Sequence, residues 1–172
     1  MKIIEALKEV TRLEEQAKDL GQKVFKYCAD RDYETPTYKT VDDQKAKIAE
    51  WLQGVHDTLK AALDLRIRIN RTNDKTVVPI ELGGVKVEHT ISEWILRRRL
   101  YAAKELAVWD SLSNKNLTEG TAKNSVGDMV VVKVRLYYDP VKRDQMTELF
   151  RGEPGIIDRN LEVVNATTDL IG

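Results

Sequence analysis

Few of the 172 residues are of a type and spacing that could do chemistry. The two histidines, His56 and His89, fall on different predicted elements, and neither has a second ligand at metal-binding spacing. Cys28 is the sole cysteine, so there is neither a disulfide framework nor a thiolate metal cluster. Its expected place is that of a small buried hydrophobe in a helix. Asp42-Asp43 reads as the acidic first turn of a helix, and the other acidic pairs read as solvated faces. Arg97, Arg98 and Arg99 are consecutive on a predicted helix. They point in directions about 100° apart and cannot form one phosphate-binding row. Catalysis needs a base, nucleophile or metal held by partners. The sequence presents no such constellation, so no catalytic, cofactor-binding or metal-binding residue is expected.

Composition agrees with that reading. Twenty-eight basic residues balance 28 acidic ones, and 42% of the chain is hydrophobic. A general polyanion binder would carry a basic excess, so no nucleic-acid partner is expected. No small-molecule substrate is evident either. A neutral chain has little self-repulsion to oppose association. The first ten residues mix acidic and apolar types where a signal peptide needs an apolar run, and no stretch of about 18 apolar residues could span a membrane. The expected location is therefore cytoplasmic, or a virion if the protein is phage-encoded. Asn-x-Ser/Thr triplets at Asn70, Asn116 and Asn165 are read as chance or as backbone-capping residues.

The elements that must carry these residues are mainly helical. Ile3, Leu7, Val10, Leu13, Ala17, Leu20, Val24 and Tyr27 recur by threes and fours, predicting a helix over 2–32 with one narrow apolar stripe. A second helix starts at Thr40 or Asp42 and runs through Ile48, Leu52, Val55, Leu59 and Ala62 to Ile69. With a short loop between them, the two form an antiparallel hairpin over 2–70. Asn70-Arg71-Thr72-Asn73-Asp74 should break the second helix, because such side chains compete for backbone hydrogen bonds.

Alternating residues around Gly83-Gly84 predict a β-ribbon over 76–89, the glycines supplying a positive-φ turn. Thr90 and Glu93 have capping-box spacing and open a helix over 91–113 that is apolar on more than one side. Residues 114–128 read as a polar loop and 129–138 as a strand, which should pair with the ribbon at 77–88 because an isolated strand is unstable. Asp139-Pro140 opens a helix, Gly152-Glu153-Pro154-Gly155 interrupts it, and a short helix follows from Ile156, the C-terminal helices together spanning 140–165. The fold class is thus mainly α: one domain over 1–172, built on a long antiparallel helical hairpin or bundle, with a small antiparallel β element.

The run Ile69-Asn70-Arg71-Thr72-Asn73, the Gly83-Gly84 hairpin, the helix with Arg97, Arg98 and Arg99, and the tail Asn165-Ala166-Thr167-Thr168-Asp169-Leu170 together resemble the septicolysin-like (DIP1984) family. Asn-Arg-Thr-Asn and a terminal Asn-Trp-Thr-Thr-x-Leu recur in that family. Ala166 stands at the tryptophan position, so the packing of that indole is different here or is supplied by Trp51, Trp94 or Trp109. The resemblance implies a helical, oligomeric protein with long antiparallel helices and no established catalytic activity. The leading functional expectation is a non-enzymatic structural protein that associates with itself and with other assembly proteins, as in a phage virion or similar complex. The alternatives are a membrane-acting, pore-forming protein, for which the alternating strand at 129–138 would be the lipid-facing segment, and an enzyme of unknown class.

Overall fold

The computed structural model describes residues 1–171 and is mainly helical with two small antiparallel sheets. The chain, read from sequence as one domain, clusters into two compact units: among the described residues, 1–76 with 162–171, and 77–161.

In the first unit, α1 (Ile3–Tyr27) and α2 (Val41–Lys75) run antiparallel. Glu14 accepts from Arg66 at 2.7 Å, while further along Tyr27 lies 5.8 Å from Trp51, ring centre to ring centre. The buried side of α1 is Ile3, Ala6, Val10, Leu13 and Ala17. Leu7, expected in the stripe, is exposed and Ala6 takes its place. On α2 the buried positions are Trp51, Thr58, Ala62, Ile69 and Thr72, again at steps of three, four and seven, with Asn73 next to the last. The expected positions Leu52 and Leu59 lie outside, because Trp51 joins Tyr27 and Tyr38 in a three-ring cluster and fixes the phase of the helix.

Both helix ends differ from expectation. α1 stops at Tyr27, not near Asp32: the Gln44 amide donates to the Tyr27 carbonyl at 2.8 Å and accepts from the Tyr38 amide at 3.2 Å, so the chain turns early. Cys28, expected inside the helix and buried, sits just past its end and is exposed. α2 does not break at Asn70. It continues to Lys75, since the Thr72 hydroxyl donates to the Arg68 carbonyl at 2.8 Å, one turn back, instead of competing with the helix. At its start, Thr40 caps the Asp43 amide.

The second unit begins with the hairpin of β1 (Val77–Leu82) and β2 (Val85–Thr90), in register from Val77 opposite Thr90 to Leu82 opposite Val85. Val78 and Ile80 face inward with the period of two that a one-sided strand requires. Gly83 and Gly84 form the turn with φ of +58° and +80°. At Gly84 a side chain would meet nothing within 4 Å, so Gly84→Val isolates backbone strain. It should cost about 1–2 kcal/mol, a few degrees of melting temperature. A melting curve that superimposes on the parent's would show that the turn does not need glycine.

Thr90 and Glu93 close the expected capping box. The helix after it is not one regular rod over 91–113. It comprises α3 (Ile91–Leu96), a π-helical turn (Arg97–Tyr101) and α4 (Ala102–Ser111). Trp94 and Ala102, on either side of the π turn, are fully buried. Leu96, Leu100, Tyr101 and Val108 are exposed, so apolar side chains extend beyond the core face of this segment.

The strand expected at 129–138 is shorter and has another partner. β4 (Met129–Val132) pairs with β3 (Gly120–Lys123), which lies in the stretch read as polar loop, and not with β1 or β2. The intervening turn favours the local partner: the Asn124 side chain accepts from the Val126 and Asp128 amides at 3.0 and 2.9 Å, and Gly127 supplies φ +98°. Nor does Gly152–Gly155 interrupt the last helix. α5 (Pro140–Thr167) carries Pro154 within it. Phe150, Glu153, Ile157 and Leu161 make one buried stripe straight through the proline, and this packing offsets the roughly 3 kcal/mol that an interior proline costs. Asp139 caps the start as expected, accepting from the Val141 amide at 2.9 Å.

Candidate interaction surface

The motif residues read from the sequence fall into three groups. Thr72, Thr167 and Thr168 come together in the first unit around the chain's beginning. The Ile3 amide donates to the Thr168 carbonyl at 3.0 Å, the Lys2 ammonium to the Thr167 carbonyl at 2.9 Å, and the Ile171 amide to the Thr72 hydroxyl at 3.0 Å. Lys2 also pairs with Asp169 at 2.6 Å, and that hydrogen bond holds the Asp169 carboxyl below its ordinary range. These residues form a clasp between the first and last residues of the described chain. Of the others, Asn73 is buried, Asn165 is half-buried, and Asn70, Arg71 and Ala166 are exposed. Gly83 and Gly84 make the β1–β2 turn, where a Gly83 side chain would come 3.2 Å from Leu149. Thr90 and Glu93 stay at their cap.

The sequence did not reveal a charge cluster at the π turn. The Arg97 guanidinium lies between two carboxylates. Two of its nitrogens donate to the two Glu153 oxygens, and it reaches the Glu105 oxygens at 2.7 and 3.0 Å. The Phe150 ring lies under it at 5.7 Å. Only 1% of Glu153 is exposed. The hydrogen bonds that Arg97 donates to Glu153, then to Glu105, hold it charged well above the usual arginine range, and Arg97 in turn lowers Glu105. A general acid at neutral pH needs a raised carboxyl. Glu105 is shifted the other way and both its oxygens accept from Arg97, which ties the π turn to α4 and, through Glu153, to α5. Arg98 is likewise paired, with Asp158. The one advance signal was a glutamate beside a proline in a helical stretch, which has no specific meaning in a single sequence.

Among the described residues no three His, Cys, Asp or Glu side chains are grouped to hold a metal ion, and no helix is long and apolar enough to cross a membrane. His56 is exposed on α2, and His89 stacks edge-on to Trp94 at 4.7 Å.

What the first unit does offer is an apolar flank. Leu52, Leu59, Leu63 and Ile67 are spaced seven, four and four, which sets them along one side of α2 next to the face that meets α1. Each is between 39% and 56% exposed. The row spans about 22 Å of helix, bordered by the Glu14–Arg66 pair. No family model, curated protein or solved structure matches the chain.

Proposed function

We propose that this protein is a non-enzymatic structural subunit that associates with copies of itself, packing through the outer flank of α2, within a larger assembly. The carrying observation is the apolar row of Leu52, Leu59, Leu63 and Ile67. A long helix that presents an apolar row outside its own hairpin contact, broken only by His56 between Leu52 and Leu59, leaves that row wet in a lone chain, at about 25 cal/mol for each Å². Burial against a second copy removes the cost, and the balanced charge of the chain does not oppose it. The resemblance to the septicolysin-like family points the same way, toward long helices that oligomerise.

The test is the double variant Leu59→Glu/Leu63→Glu. Both positions are half-exposed in the lone chain, so the fold accepts glutamate there while an apolar interface does not. Sedimentation at micromolar concentration is expected to show an oligomer for the parent. The variant should be a monomer with unchanged circular dichroism, its association weakened a hundredfold or more at roughly 1.5–3 kcal/mol per lost leucine contact. A parent that sediments as a compact monomer of 19.7 kDa, or a variant that stays associated, refutes the proposal.

A further inference from the structure

The β3–β4 ribbon is formed at both ends, yet the face with Met129 and Val131 is 63% and 73% exposed and the face with Val130 and Val132 is still 38% and 37% exposed. Its tip is the Asn124–Asp128 turn, and at its base the Glu119 carboxylate accepts from the Val134 amide at 3.1 Å. All eight strand residues are exposed. The pleat puts Gly120, Ala122, Val130 and Val132 on one face and Thr121, Lys123, Met129 and Val131 on the other. β4 is therefore apolar on both faces, with Val131 73% exposed. A two-stranded ribbon by itself is marginal in water, and a strand apolar on both faces is the kind found covered on both sides. The sheet has only two strands, so the outer edge of β4 is open as well.

That edge indicates the partner. Exposed edges are ordinarily guarded by lysine, proline or a bulge, which stop them from pairing with other chains. β4 is Met-Val-Val-Val: no charge, no proline, no glycine. An edge meant for a foreign strand must still refuse its own copies, which are always present at its own concentration, and nothing on β4 refuses them. Paired with itself about a two-fold axis, the run sets apolar residues opposite apolar residues with no like charges in apposition.

We propose that β4 pairs antiparallel with β4 of a second copy, joining two ribbons into one four-stranded sheet across the subunit boundary. This rests on the reading that the protein self-associates, and it adds a second contact to the helical one. Main-chain hydrogen bonds supply the attraction, and alternate side chains supply the register. Four residues bury less than the roughly 800 Å² per partner of a standard stable interface, so the sheet couples subunits already held through α2.

Cysteine cross-linking reads the pairing directly. In a Cys28→Ser background, Met129→Cys, Val130→Cys, Val131→Cys and Val132→Cys are oxidised mildly at micromolar concentration, with Phe25→Cys as the exposed control on α1. A residue at or beside a two-fold axis faces its own copy within disulfide reach. The expected result is a covalent dimer as the main product at one or two β4 positions, at least tenfold above the control. Val131→Lys, which guards the edge without touching the fold's interior, should weaken association about tenfold with an unchanged melting curve. No cross-link at any of the four positions in a preparation that sediments as an oligomer overturns the strand pairing and leaves the helical interface standing. A cross-link that persists in Leu59→Glu/Leu63→Glu upholds the strand pairing and refutes the helical reading. A monomer that floats with phosphatidylcholine–phosphatidylglycerol vesicles, and loses this on Val131→Lys, overturns the pairing in favour of a lipid-seeking arm.

Discussion

Arg97→Ala is expected to cost about 3–5 kcal/mol of folding stability, because it leaves the Glu153 carboxylate buried without its counter-charge. Urea denaturation measures it, as a lower midpoint at unchanged slope. The loss is one of compensation rather than of attraction, and a second variant separates the two. Arg97→Met/Glu153→Leu removes both charges and keeps the volume, so it should recover most of the deficit. A deficit of the same size in the double variant would mean that Arg97 acts through packing on Phe150 alone. The pH dependence follows from Glu105. Its folded carboxyl is lowered by the hydrogen bond from Arg97, so the stabilisation is complete above the ordinary glutamate value of about 4.3 and is lost as the pH falls through the lowered folded value. Arg97→Ala should remove this part of the acid sensitivity.

What could be read from the sequence is what neighbouring residues decide between themselves. The Gly83-Gly84 turn, the Thr90–Glu93 box, the Asp139 cap and the antiparallel hairpin of the first two helices depend on spacing within one or two turns. The misreadings occurred where a distant contact overrode local preference. Thr72 is a poor helix residue alone, but its hydroxyl is held by Arg68 and by the Ile171 amide, 99 residues away. Pro154 breaks an isolated helix, yet Glu153 is anchored to Arg97, 56 residues upstream. β3, Gly-Thr-Ala-Lys, has the composition of a loop and is a strand only because β4 lies beside it. The candidate surface was half legible for a related reason. α2 carries two overlapping apolar phases, one through Leu52 and Leu59 and one through Trp51, Thr58 and Ala62. Periodicity alone chose the leucines for the core. The aromatic cluster of Tyr27, Tyr38 and Trp51 sends them outward, where they become the surface that needs a partner.

Trp94→Ala should have an effect as large as that of Arg97→Ala by a different mechanism. Trp94 has no exposed surface, and its indole N–H donates to the Val78 carbonyl at 2.8 Å, tying the start of α3 to β1. Truncation opens a cavity of side-chain size and orphans that carbonyl, a loss of about 3–5 kcal/mol. Trp94→Phe keeps most of the ring and removes only the donor, so it should cost about 1–3 kcal/mol. The order of the two, measured by the same denaturation, decides whether packing or the hydrogen bond dominates at this position; equal losses would assign the effect to the bond. Neither variant changes Leu59, Leu63 or β4. At temperatures where each remains folded, sedimentation should therefore still show the oligomer, and dissociation without unfolding would mean that association depends on the interior of the second unit and not on the exposed rows.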